Sequence, residues 1–129
     1  MKLLFVADPL EVFKTYKDTT FSMMREAQKR GHRIIACEPR HLVWQRGGLV
    51  QAAVRRITLT GQADAWFTEA EPATVALKDF DAIVMRKDPP FDSEFFYATH
   101  LLEQAEREGA QVYNKPRALR DHPEKLAIL

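Results

Sequence analysis

Four groups of polar residues each follow an apolar run directly: Asp8-Pro9, Glu38-Pro39, Arg86-Lys87-Asp88 and Asn114-Lys115. If those runs are parallel strands, the groups share the carboxyl edge of one sheet, where open α/β sheets bind their ligands. Arg86 is the strongest candidate there. A guanidinium at the end of a buried strand, followed by the rigid Pro89-Pro90 pair, has its fork oriented in advance for a carboxylate or phosphate. The competing use is an ion pair with Asp88 or Asp92. Lys17-Asp18-Thr19-Thr20 stands at the start of a helix, where unpaired N–H groups and the positive end of the helix dipole favour an anion. Plain capping by Asp18 is the simpler reading, and it leaves Thr19 or Thr20 to meet a ligand. Glu38 alone reads as a solvated loop residue.

Other chemistry is disfavoured by the pattern. Neither G-x-G-x-x-G nor G-x-x-x-x-G-K-[ST] occurs, so a dinucleotide or P-loop phosphate cradle is not expected. His32, His41, His100 and His122 show no H-E-x-x-H and no paired metal spacing, and no metal site is predicted. Cys37, the single cysteine, excludes an internal disulfide and reads as a buried core thiol rather than a nucleophile. Trp44 and Trp66 read as packing residues.

The elements that must position these residues follow from periodicity. Residues 3–7 form a continuous apolar run ended by Asp-Pro, as in a strand buried on both faces. The spacing of Phe21, Met24 and Ala27 predicts a helix over 19–30, capped by Asp18 and stopped at Gly31. Residues 33–37 follow as a second strand. Residues 42–44 and 49–59 flank Gly47-Gly48, which suggests a hairpin inserted between parallel units. Residues 61–79 have no clean period and read as loop with one short helical turn. Residues 82–85 form a third buried strand. A second helix starts from Asp92, with Phe91 and Phe96 as a hydrophobic staple, Phe95, Ala98, Leu102 and Ala105 as its buried stripe, and Gly109 as its stop. Residues 111–113 give a short fourth strand, and 121–129 look like the start of another element. The expected fold is therefore α/β: a Rossmann-like, open, mainly parallel sheet flanked by helices, with an inserted β-hairpin.

Composition agrees with one ordinary globular domain. The chain has 129 residues, 46% hydrophobic and 29% charged, enough for a core without disulfides. A formal net charge of +1 advertises neither nucleic acid nor an anionic membrane as partner. The opening apolar run is too short for a signal peptide or a membrane span, so a cytoplasmic location is the expectation.

Several motifs in order go beyond fold class. They are Asp8-Pro9; Lys17-Asp18-Thr19-Thr20-Phe21; Glu26-Ala27-Gln28-Lys29-Arg30-Gly31; Met85-Arg86-Lys87-Asp88-Pro89-Pro90-Phe91-Asp92 with Tyr97-Ala98-Thr99; and Asn114-Lys115-Pro116 followed by Leu119-Arg120-Asp121 and Glu124-Lys125-Leu126. Together they closely resemble bacterial glutathione synthetase over the whole chain. The resemblance implies the N-terminal, pre-ATP-grasp domain (residues 1–120), with 121–129 as a truncated beginning of the ATP-grasp region. It implies an ATP-dependent carboxylate-amine ligase that joins γ-glutamylcysteine to glycine through an acyl phosphate, with ATP and Mg2+ as cofactors. It also implies a homo-oligomer, and a 129-residue piece that is inactive by itself and holds no catalytic residue.

By the same resemblance Lys125 falls on the family's nucleotide-contacting lysine. Lys17, Asp18, Thr19, Thr20 and Arg86 would lie on the wall facing the peptide substrate. His122-Pro123 departs from the small or polar residues usual in the family's R-D-x-x-E-K stretch. Two other readings stay open: a receiver-like signalling domain, and the N-terminal domain of another ATP-grasp amino-acid ligase. Asp8 followed by Pro9, where a receiver needs an acidic pair, counts against the first. The R-K-D-P-P-F-D loop counts against the second.

Overall fold

The computed structural model describes residues 1–15, 18–62, 65–87 and 92–113. Its centre is β1 (Lys2–Ala7), whose Leu4 to Ala7 side chains are all buried. β1 pairs in parallel with β2 (Arg33–Cys37) on one side and β7 (Ala82–Arg86) on the other; β7 pairs in parallel with β8 (Val112–Tyr113). The two faces of this parallel core separate by residue parity, as a period of two requires. Leu4, Val6, Ile35, Cys37, Ile83 and Met85 pack with the buried stripe of α2 (Ser93–Arg107). Phe5, Ile34, Ala36 and Val84 pack with Met24 and Ala27 of α1 (Thr19–Lys29). Burying each such side chain contributes about 1.5–3 kcal/mol, so the double burial of β1 anchors the domain.

Both helices begin and end as their sequences dictate. Asp18 accepts a hydrogen bond from the Phe21 N–H at 3.1 Å, and Asp92 one from the Phe95 N–H at 2.9 Å. At the C-terminus of α1, Gly31 (φ +87°) donates to the Gln28 carbonyl and His32 to that of Ala27. Gly109 (φ +108°) and Ala110 repeat the arrangement on Glu106 and Ala105 at the end of α2. This paired closure needs a positive φ, which glycine alone adopts without strain. The expected staple partner Phe91 lies outside the described residues.

Beyond β2 the sheet turns antiparallel. β3 (Leu42–Val43) and β4 (Gln51–Leu59) form the expected hairpin around Gly47-Gly48. Its tip is held by the Trp44 indole, which donates to the Gly48 carbonyl at 3.0 Å. Trp44 is thus exposed at the turn rather than packed beneath it. The hairpin belongs to a larger extension. β5 (Phe67–Glu69) and β6 (Ala73–Ala76) both pair antiparallel with β4, where the sequence reading expects loop. The expected helical turn is a single 3-10 turn, Leu77–Asp79. β4 itself pairs antiparallel with β2, so it joins the extension to the parallel core. Trp66 is buried and gathers Phe13, Phe21 and Phe67 at ring separations of 5.4, 5.3 and 4.7 Å. These contacts tie the β1–α1 connection, α1 and β5 together.

Candidate functional site

Strand order in the parallel part is β2-β1-β7-β8. The chain leaves β1 through α1 to β2 on one side, then returns to β7 on the other. A topological switch point therefore lies between the carboxyl ends of β1 and β7, the place where open α/β sheets leave a crevice.

The register puts Arg86 opposite Ala7 at that end. Arg86 has the same parity as Val84, so it projects to the α1 face, and its Nε donates to Thr20 Oγ1 at 3.4 Å. Thr20 is buried in the first turn of α1, while Thr19 is exposed. Two of the candidate residues, 66 positions apart in sequence, are thus brought together. Among the described residues the partner observed for Arg86 is Thr20. This bond engages Nε, and the terminal nitrogens of the fork are the ones a planar anion would use. Asp18 is engaged as the α1 cap and orients the backbone around Thr19 and Thr20.

On the same edge Lys87 Nζ meets Asp8 Oδ1 at 2.9 Å, both side chains about four-fifths buried. This ion pair bridges the segments that leave β1 and β7. It ties the carboxyl ends of β1 and β7 together. Lys17, Asp88, Asn114, Lys115 and Lys125 lie outside the described residues, as does the Pro89-Pro90 stretch.

The group after β2 is more organised than its sequence suggests. Glu38 is largely buried and pairs with Arg40 at 3.1 Å. Its backbone N–H donates to His41 Nδ1 at 2.9 Å, closing the 3-10 turn Pro39–His41. Burial holds the His41 imidazole below its ordinary pKa, the neutral form that such acceptance requires. Cys37 is buried at the end of β2, and burial, aided by the Glu38 charge, pushes its thiol up to about 12. It stays protonated near neutral pH and is no nucleophile. Among the described residues no cluster of three or more His, Cys, Asp or Glu side chains is arranged to hold a metal ion. No helix among them is long and apolar enough to cross a membrane.

Comparison with known proteins adds a specific likeness. Residues 1–120 match the family model described as prokaryotic glutathione synthetase, N-terminal domain. The chain is 51% identical over 128 residues to the glutathione synthetase of Ralstonia nicotianae, an alignment covering 99% of this chain and 39% of that protein. It is 50% identical over 133 residues to the one from Neisseria meningitidis serogroup B, covering 100% and 41% respectively. It is 46% identical over 131 residues to that of Nitrosomonas europaea, covering 99% and 41%. The chain thus spans about two fifths of the length of these curated relatives.

Proposed function

The chain belongs to the prokaryotic glutathione synthetase N-terminal domain family, and from that premise we propose that it forms the peptide-facing wall of an ATP-dependent carboxylate-amine ligase joining γ-glutamylcysteine to glycine. The observation that carries this reading is the Arg86–Thr20 contact at the switch point. It converts two separate sequence candidates into one anion-recognising corner at the edge where such sheets bind ligands.

In this role the Arg86 guanidinium binds and orients a substrate carboxylate, with Thr20 fixing its plane. The α1 N-terminus adds its dipole from the same side. The Asp8–Lys87 pair holds the crevice at constant width. These are positioning tasks, and we assign no catalytic residue to the described part of the chain. ATP would supply phosphoryl activation of the carboxylate. The described residues do not fit a magnesium site, and Lys125, the candidate nucleotide contact, lies outside them, so no step is derived through either group. We assign the bulk of nucleotide and Mg2+ binding to the remaining three fifths of the relatives' length. Residues 1–120 are then the substrate domain, with 121–129 leading into the ATP-grasp region. Cytoplasmic location and homo-oligomeric assembly belong to the same reading.

The test is direct. Mixed with γ-glutamylcysteine, glycine and magnesium-ATP, the 129-residue chain makes no glutathione, whereas the longer protein does. Turnover by the chain alone would overturn the incomplete-site reading, and absence of turnover by the longer protein would overturn the ligase reading.

A further inference from the structure

A second recess opens on the carboxyl edge, on the far side of β1 from Arg86. It is a cleft of about 450 Å3 lined by Pro9, Glu11, Glu38, Arg40, His41, Ala53, Arg55 and Pro72. That volume lies in the range of small-molecule sites. Its walls come from four separate stretches of chain that the sheet register gathers. Arg55 stands on β4 opposite Ala36 of β2, and Glu38 follows the carboxyl end of β2. Glu11 belongs to the 3-10 turn Leu10–Val12 just beyond β1.

The charges around this cleft are mixed. Arg55 is about four-fifths buried; it pairs with Glu69 and reaches Glu11 at 3.8 Å. Glu38 is equally buried and pairs with the exposed Arg40. Two guanidiniums and two carboxylates thus line one small recess. A simple anion entering it meets Glu11 and Glu38, and a simple cation meets Arg40 and Arg55, so each is opposed by like charge. A ligand with an ammonium and a carboxylate on one carbon satisfies both signs at once. His41 adds a neutral donor: because Nδ1 accepts from the Glu38 N–H, the ring proton resides on Nε2.

We propose that this cleft binds the free amino-acid head group, α-ammonium plus α-carboxylate, of a γ-glutamyl ligand. The proposal rests on the ligase reading above, because a γ-linked dipeptide leaves that head group free at the end remote from the reacting carboxylate. The Arg86 corner lies on β7, and the cleft begins at the end of β2 and extends to β4, two to three strand spacings of about 4.8 Å away across β1.

The probe is γ-glutamyl-α-aminobutyrate, which lacks a thiol, titrated into the 129-residue chain by amide NMR. Binding shifts resonances of Arg40, His41 and Arg55. The N-acetyl analogue, lacking the ammonium, and the α-amide analogue, lacking the carboxylate, bind at least 10-fold more weakly. Arg40→Gln, at an exposed position, and Arg55→Gln each weaken the parent ligand at least 10-fold, whereas Arg56→Gln, exposed and outside the cleft, does not. Equal affinity for the N-acetyl analogue, or wild-type affinity in both Arg40→Gln and Arg55→Gln, overturns the proposal. Its failure is separable from that of the ligase reading. If the longer protein makes glutathione and Arg40→Gln leaves its dipeptide KM unchanged, the cleft assignment alone is wrong. If the longer protein makes none, the ligase reading is wrong whatever the cleft binds.

Discussion

The Asp8–Lys87 ion pair offers the sharpest test of how the crevice is held. At 2.9 Å two unit charges attract by about 6 kcal/mol at an effective dielectric constant of about 20. Removing both side chains from most of their water offsets the greater part of that gain. Exposed pairs couple by about 0.2–1 kcal/mol, and losing one partner of a fully buried pair costs about 3–5 kcal/mol. With side chains 19% and 18% exposed, this pair falls between those limits. We expect Asp8→Ala and Lys87→Ala each to destabilise by about 2 kcal/mol, and the double variant by clearly less than their sum, with a coupling energy of about 1–2 kcal/mol. Both residues make further interactions, and the double-mutant cycle subtracts those. The assay is urea unfolding of the four proteins, supported by thermal melts in which each kcal/mol moves Tm by about 4 °C. Coupling should persist in about 0.5 M salt, because screening acts mainly on exposed pairs. A coupling below about 0.3 kcal/mol, or one that salt abolishes, would refute the claim that this pair braces the edge.

Three further outcomes follow from the packing and the buried titratable groups. Trp66→Ala removes the hub of four aromatic rings and should cost about 3–5 kcal/mol in urea unfolding, whereas Trp44→Ala at the exposed turn should cost about 1 kcal/mol or less. Asp92→Ala should cost about 1 kcal/mol through the lost α2 cap, with Asp92→Asn close to wild type. The unfolded chain protonates His41 near 6.5 while the folded chain holds it neutral, so its contribution is present above pH 6.5 and lost as pH falls through the lower folded value. Cys37 acts in the opposite range: its contribution is complete below 9.0 and lost as pH rises from there towards 12. Stability profiles of His41→Gln and Cys37→Val should lack the acid and alkaline slopes respectively, and the native Cys37 thiol should label at pH 8 only as the chain unfolds.

The elements legible in the sequence were those whose signal is local. β1, β2 and β7 are continuous apolar runs, and Asp18, Gly31, Asp92 and Gly109 mark the helix ends by side-chain oxygen or by positive φ. β5 and β6 were illegible because they are short and mostly exposed, so no apolar alternation betrays them; they exist through pairing with β4. The same distinction holds at the site. The charged groups after β1, β2 and β7 were visible, and their shared edge followed from the fold class. That Arg86 meets Thr20 across 66 residues depends on the β1–β7 register. Glu38, which resembles a solvated loop charge in sequence, is buried because Arg40 and His41 fold back on it. Arg55 carries no sequence signal at all; its place in the cleft comes from the antiparallel β2–β4 pairing.

The claim that the Arg86 corner faces the peptide substrate is tested most directly by steady-state kinetics of Arg86→Gln in the longer protein, with ADP release followed against γ-glutamylcysteine concentration. Losing a charge-assisted bidentate contact worth about 1.5–3 kcal/mol predicts a fall in kcat/KM for the dipeptide of about 10-fold to 150-fold, with the KM for ATP unchanged. A dipeptide kcat/KM equal to wild type, or a loss confined to the KM for ATP, would contradict the account.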